Sequence, residues 1–197
     1  MEDLQPYKAY LEAHLSPRRL THSYNVAAAC RMLADRYGGV DTEKAYFAGL
    51  VHDIAKDLPK DEQYCLMMQS DMQVCQEERE AYKVWHAIAG AELLRRDFHV
   101  TDMDVLRAVR YHTIGRAGMS QLEKIVYLGD MISVERDFPD VDVMRERAKV
   151  SLESGICYAL DYSIRKLMSR NSPIPCSTVE AYNEMVRIVY PHSQPEG

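Results

Sequence analysis

Apolar positions recur along this chain with the period of helices, and no segment alternates in the two-residue rhythm of a strand. Ser16-Pro17 sets an N-cap before a proline at the first helical position, and Gly38-Gly39 stops the segment. The interval predicts a helix of about twenty residues with His22, Val26, Ala29 and Leu33 at helical spacing. Asp41-Thr42-Glu43 opens a second helix, in which Ala45, Ala48 and His52 stand three and four residues apart, so a stripe of small residues leads an imidazole inward. Here the apolar run stops abruptly at His52-Asp53. Leu58-Pro59 begins a short helical segment bearing Cys65, Leu66 and Met67, while residues 70 to 84 give a weaker, more polar signal. Trp85-His86 precedes Ala87, Gly90, Ala91 and Leu94, a helix ending near Asp97 whose small residues permit close approach to a neighbour.

Thr101-x-x-Asp104 reads as a capping box for a helix that puts Val105, Val109 and His112 on one face. Ser120-x-x-Glu123 reads as a second box, opening a helix with Leu122, Val126 and Asp130 on one side. Arg136-Asp-Phe-Pro139 breaks the pattern, Val143 to Ala148 is helical, and Leu152, Ile156, Leu160, Ile164 and Leu167 form a long amphipathic run. Pro173 and Pro175 make a linker before Ser177-x-x-Glu180 caps a final helix, and the tail from Pro191 is expected to be loose. The expectation is all-α: one domain over residues 1–171, with linker, last helix and tail over 172–197 packed on it.

Composition narrows the class. With 197 residues, 47% of them hydrophobic, the chain can bury a single large core. Thirty acidic against 24 basic residues leave a net charge of −6, which argues against a nucleic-acid partner but leaves room for a local basic site. The five cysteines form no CxxC pair and read as reduced thiols without a metal role. The N-terminus is acidic and lacks an apolar leader, and no apolar run approaches the length of a membrane span. A soluble, cytoplasmic protein with no membrane partner is expected.

His22, His52 with Asp53, His86, His112 and Asp130 each put a metal-binding group on or beside an inward helix face. Any one alone reads as a hydrogen-bonded core residue. Together they do not, because unpaired buried imidazoles and carboxylates are costly and separate helices rarely each contribute one. Four histidines and two aspartates suit two borderline divalent ions sharing a bridging carboxylate, with iron, manganese or cobalt favoured over zinc.

The order His22, His52-Asp53, His86, His112, Asp130 resembles the HD-domain phosphohydrolase superfamily, in its branch with two extra histidines and a dinuclear centre. More narrowly, His52-Asp-x-Ala-Lys56-Asp57, Trp85-His86, Arg110-Tyr-His112-Thr-x-Gly-Arg116-Ala-Gly-Met-Ser120, Leu122-Glu-Lys124-Ile and Arg136-Asp-Phe-Pro139 resemble its YqeK-type branch. Members of that branch are symmetrical bis(5'-nucleosyl)-tetraphosphatases, which cut diadenosine tetraphosphate into two ADP. The likeness runs over roughly residues 18 to 185. It implies an all-α helical bundle with a dinuclear site in its core, where His22, His52, Asp53 and Asp130 hold one ion, His86 and His112 the other, and Asp53 bridges. One departure stands out: where the branch usually reads Ala-Asp-x-Ile-Glu, this chain reads Gly129-Asp130-Met131-Ile132-Ser133.

Phosphoanhydride hydrolysis at neutral pH needs a strong nucleophile and relief of phosphoryl charge, and an ion pair supplies both through a metal-bound hydroxide. Lys56, Arg116 and Arg136 flank the ligands and are expected to bind substrate phosphates. Lys56 is also expected to protonate or stabilise the leaving oxygen, with Asp57 orienting it. The expected ligands are a dinucleoside tetraphosphate or nucleoside diphosphate, and a homodimer is one assembly the sequence leaves open. Two other readings compete: a different HD-type nucleotide phosphohydrolase, such as a nucleotidase or phosphodiesterase, and a non-catalytic nucleotide sensor.

Overall fold

Each expected apolar stripe becomes a helix. In a computed structural model that describes residues 3–191, the chain runs through α1 (Gln5–His14), α2 (Pro17–Tyr37), α3 (Thr42–Val51), α4 (Lys60–Gln69), α5 (Gln76–Glu80), α6 (Tyr82–Asp97), α7 (Met103–Tyr111), α8 (Gln121–Ile132), α9 (Val141–Val150), α10 (Leu152–Met168) and α11 (Cys176–Val189). No strand occurs among the described residues. None of their helices is long and apolar enough to cross a membrane. Of the expected loose tail, all but Pro191 lies outside the described residues, as does His192.

Helix ends follow the local chemistry, with two shifts. Gly38 stops α2 at a φ of 64°, and the Ser120/Glu123 capping box forms at the start of α8. By contrast, α7 is capped by Asp102, whose carboxylate accepts from the Asp104 amide, not by Thr101. Likewise α11 starts at Cys176 directly after Pro175, which places Ser177 inside the helix. Two helices had no clear signal. One is the short α5; the other is α1, which buries only Tyr7 and Leu11 and docks through Tyr7, its ring 4.7 Å from Phe47 and 4.9 Å from Phe98.

At the centre α2 lies against α3 and α8, and α3 also touches α7. The far side of α8 packs on α10, which carries α9 and α11, and α6 closes over α7 and α4. What lets α2, α3 and α8 come so close is a single thiol between two glycines. A Cβ added at Gly129 of α8 would stand 2.7 Å from Cys30 Sγ, and one at Gly49 of α3 would stand 2.8 Å from the same sulfur. At Gly49 the backbone is also in the way, with Ala27 Cα at 2.9 Å. Cys30 is fully buried and, like the other four cysteines, free.

These contacts predict a pattern of rescue. Gly129→Ala and Gly49→Ala are each expected to lower unfolding stability by about 1–3 kcal/mol through overpacking. Shortening the thiol with Cys30→Ala should restore tolerance to Gly129→Ala, where only Sγ obstructs, but not to Gly49→Ala, where the α2 backbone does. Urea denaturation of the single and double variants checks it.

Candidate metal centre

Helix ends aim the candidate ligands. His52 is the C-cap of α3 and His112 the C-cap of α7, where the last carbonyls have no helical donor. Each imidazole takes the carbonyl three residues back: His52 Nδ1 lies 2.7 Å from Gly49 O, and His112 Nδ1 lies 2.7 Å from Val109 O. A carbonyl only accepts, so Nδ1 carries the proton and Nε2 presents a lone pair. His22, in the body of α2, gives Nδ1 to the Glu135 carboxylate, and its Nε2 is directed the same way. Asp53 follows His52 in the turn after α3, His86 comes from the first half of α6, and Asp130 from the last turn of α8.

The free atoms converge in two sets that share one carboxylate. On one side His22 Nε2 lies 3.0 Å from Asp130 Oδ1, 3.3 Å from His52 Nε2 and 3.7 Å from Asp53 Oδ2. His52 Nε2 lies 3.6 Å from Asp53 Oδ2 and 3.8 Å from Asp130 Oδ1. On the other side His86 Nε2 lies 3.1 Å from Asp53 Oδ1 and 3.3 Å from His112 Nε2, which is itself 3.6 Å from Asp53 Oδ1. Ligands about 2.1 Å from one ion stand roughly 3.0–3.5 Å from each other in octahedral or tetrahedral arrangements, close to these spacings. Asp53 thus turns one oxygen to each set.

Protein groups alone leave this arrangement unbalanced. Lone pairs of imidazoles and carboxylates face one another, and Asp53 Oδ1, fully buried, accepts no hydrogen bond. A cation between them resolves both problems, so the donors fit divalent metal. The electrostatics agree. Burial pushes His52 down to about 3, and burial together with the Lys56 ammonium pushes His86 down to about 4, so both rings are neutral ligands at neutral pH. Burial opposes ionisation of Asp53 and Asp130, yet their surroundings, the His52 ring and the Lys56 ammonium for the first, His22 and the Arg136 guanidinium for the second, hold both well below the carboxylate range. At His22 burial disfavours the charged ring, but the carboxylates of Asp130 and Glu135 outweigh it and raise the pKa.

Of the flanking residues expected from sequence, Lys56 and Arg136 reach the cluster. Lys56 Nζ stands 3.0 Å from His86 Nε2 and 3.7 Å from Asp53 Oδ1, and Arg136 pairs with Asp130 Oδ1 while its Nε donates to the Asp130 carbonyl at 2.8 Å. Arg116 is directed elsewhere. Its Nε and Nη2 donate to the two carboxylate oxygens of buried Glu123 at 2.7 and 2.6 Å, and Nη1 donates to Ala117 O at 3.0 Å, so all three nitrogens are engaged. Asp57 does not orient Lys56 either. Its Oδ2 accepts from Ser16 N and Ser16 Oγ, both at 2.8 Å, which ties the turn after Asp53 to the start of α2.

Two contributors escaped the sequence reading. Arg19, three residues before His22 on the same helix face, donates to Asp53 Oδ2 at 3.2 Å. Glu135 lies two residues past Ser133, in the turn after α8. The first had a usable signal, its spacing from His22; the second had none. Beyond the cluster, Arg19, Lys56, Asp57, Lys60, Tyr82, Lys83 and His86 line a groove of about 480 Å³.

Known proteins share this architecture. The family model described as "HD domain" matches residues 19–164. A Bacillus subtilis (strain 168) protein named "Bis(5'-nucleosyl)-tetraphosphatase, symmetrical" is 35% identical over 178 residues, spanning 90% of this chain and 95% of the relative. One of the same name from Halalkalibacterium halodurans is 36% identical, over 89% of this chain and 93% of its own length. A solved structure from Clostridium acetobutylicum, described as a "predicted HD superfamily hydrolase involved in NAD metabolism", superposes with a TM-score of 0.89 at 33% identity, covering 95% of this chain and 99% of that one. By fold and by kinship over most of its length, this chain belongs to the HD domain family.

Proposed function

We propose that this protein is a symmetrical bis(5'-nucleosyl)-tetraphosphatase that hydrolyses diadenosine tetraphosphate to two ADP at a dinuclear centre. The carrying observation is the division of Asp53 between His22, His52 and Asp130 on one side and His86 and His112 on the other. Relatives named for the reaction over nearly their full length support the substrate. With four imidazoles, two carboxylates and no thiolate in the set, iron is the favoured metal, ahead of manganese or cobalt. Free cysteines and the reaction itself fit a cytoplasmic enzyme.

When bound, such an ion pair supplies an activated water and neutralises phosphoryl oxygens. The chain's own residues do the rest. Water adds to one inner phosphorus, the central P–O–P bond breaks on the far side, and one ADP departs with the bridging oxygen. Lys56, whose ammonium stands among the ligand atoms, is placed to give that oxygen a proton or to hold its charge. Arg19 and Arg136, each against a ligand carboxylate, are placed to take phosphoryl oxygens in planar forks. Arg116 is omitted from this set because Glu123 occupies its guanidinium.

A tetraphosphate with a nucleoside at each end must leave the metals on both sides, and the groove offers a cationic path. Arg19, Lys56, Lys60 and Lys83 face it against one carboxylate, Asp57, which Ser16 already engages. Lys60 Nζ lies 4.1 Å over the ring of half-exposed Tyr82, an aromatic face on the groove wall. This concentration of positive charge on an acidic protein fits a polyanion.

Supplied anaerobically with ferrous iron, the purified protein should convert diadenosine tetraphosphate to ADP alone on ion-exchange chromatography. ATP with AMP would indicate asymmetric cleavage, and tight binding without turnover would indicate a sensor. Asp53→Ala should lose both ions and all turnover, as read by elemental analysis; a variant that keeps two ions contradicts the bridge. Lys60→Ala/Lys83→Ala should keep its metal and raise KM for the tetraphosphate by about five-fold per lost charge contact, on the order of 1 kcal/mol each. Inhibition by ADP should change less.

A further inference from the structure

Three of the four cluster histidines have Nδ1 bonded to an acceptor, and one of those acceptors differs in kind. His52 and His112 use main-chain carbonyls left over at helix ends. His22 cannot. It stands inside α2, where the carbonyls are spent on the helix, so its Nδ1 needs a partner from another part of the chain. Glu135 supplies it: Oε1 accepts from His22 Nδ1, Asn25 Nδ2 donates to Oε2 at 2.8 Å, and Ser133 Oγ donates to Oε1 at 2.8 Å. Asn25 is one helical turn past His22, so the same helix carries both the ring and the clamp on its carboxylate.

We infer that Glu135 is a positioning residue for the ion held by His22, His52, Asp53 and Asp130. It fixes the His22 tautomer with Nε2 toward the cluster and makes that nitrogen a stronger donor, as a carboxylate on the remote N–H of a ligating imidazole does. It also accounts for Ser133. Its hydroxyl, on the first residue after α8, holds the same Glu135 oxygen that accepts from His22. A carboxylate at position 133 would therefore start in the same turn, beside the acceptor that His22 Nδ1 already uses. The inference rests on the metal-centre reading but not on the identity of the substrate.

Cobalt(II) titration of the full-length apoprotein tests it, followed by visible absorption and by competition with a chromophoric chelator. In wild type two ions should bind. Glu135→Gln and Glu135→Ala should weaken one of them by about 10- to 100-fold and shift its ligand-field bands, while the other keeps its affinity. Ser133→Glu should restore the weakened ion in the Glu135→Ala background. A residue that merely braces the turn would lower Tm without touching cobalt affinity. Wild-type affinity for both ions in both Glu135 variants would overturn the proposal, and so would loss that Ser133→Glu leaves unrepaired. Should an Ala variant fail to fold, the isosteric Glu135→Gln and the milder Asn25→Ala, which frees only Oε2, carry the same comparison. A wild-type protein that binds no cobalt would overturn the metal-centre reading itself. Two bound cobalt ions with no cleavage of diadenosine tetraphosphate would remove only the substrate.

Discussion

A carboxylate buried among imidazole lone pairs is the condition on which this molecule is built. Asp53 is 2% exposed, one of its oxygens accepts no hydrogen bond, and Nε2 atoms whose protons have been fixed on the opposite nitrogen surround it. Protein alone does not make such a grouping favourable: the desolvation cost is large and four imidazole nitrogens crowd the carboxylate within 3.1–3.7 Å. Divalent metal held between those donors would turn the repulsive contacts into attractive ones. Stability, metal affinity and chemistry are therefore linked through the same few atoms, as they are in metal sites generally.

Holding that grouping open against its own repulsion is the task of the helices. α2, α3 and α8 bring His22, His52 and Asp130 within 3.8 Å of one another because their backbones meet around Cys30 with glycine on two sides. α6 and α7 contribute the second set from the opposite flank. Side chains at the rim complete the charge balance: Arg19, Lys56 and Arg136 each approach a ligand carboxylate. Those cations concentrate positive charge at the cluster of a chain whose net charge is −6.

Much of this was legible in the sequence, for an identifiable reason. The candidate ligands occupy core-facing positions of amphipathic helices, so the periodicity that marks Val105 and Val109 as core also marks His112, and Leu122 and Val126 likewise point to Asp130. What stayed hidden lies outside the apolar stripes. Arg19 looks like an ordinary charge in a first helical turn, and Glu135 sits in a turn whose path no local rule specifies. Neighbouring cap formers explain the one-residue shift from Thr101 to Asp102. Arg116 misled for a subtler reason: Glu123, recognised as a capping-box residue, also receives its guanidinium, with Ser120 N at 2.7 Å and Arg116 Nη2 at 2.6 Å on the same oxygen. A residue can satisfy a helix and hold a cation at once, and pattern reading credits it only with the first.

The thiol at the meeting point of the three central helices carries a chemical consequence. Burial drives the Cys30 pKa far up, so the sulfur stays protonated, where it is a poor nucleophile and a poor metal ligand. Peroxide or alkylating agents would find Cys65 and Cys176 at the surface long before reaching it. Oxidation of the outer sulfurs therefore leaves the packing beneath the His/Asp cluster undisturbed.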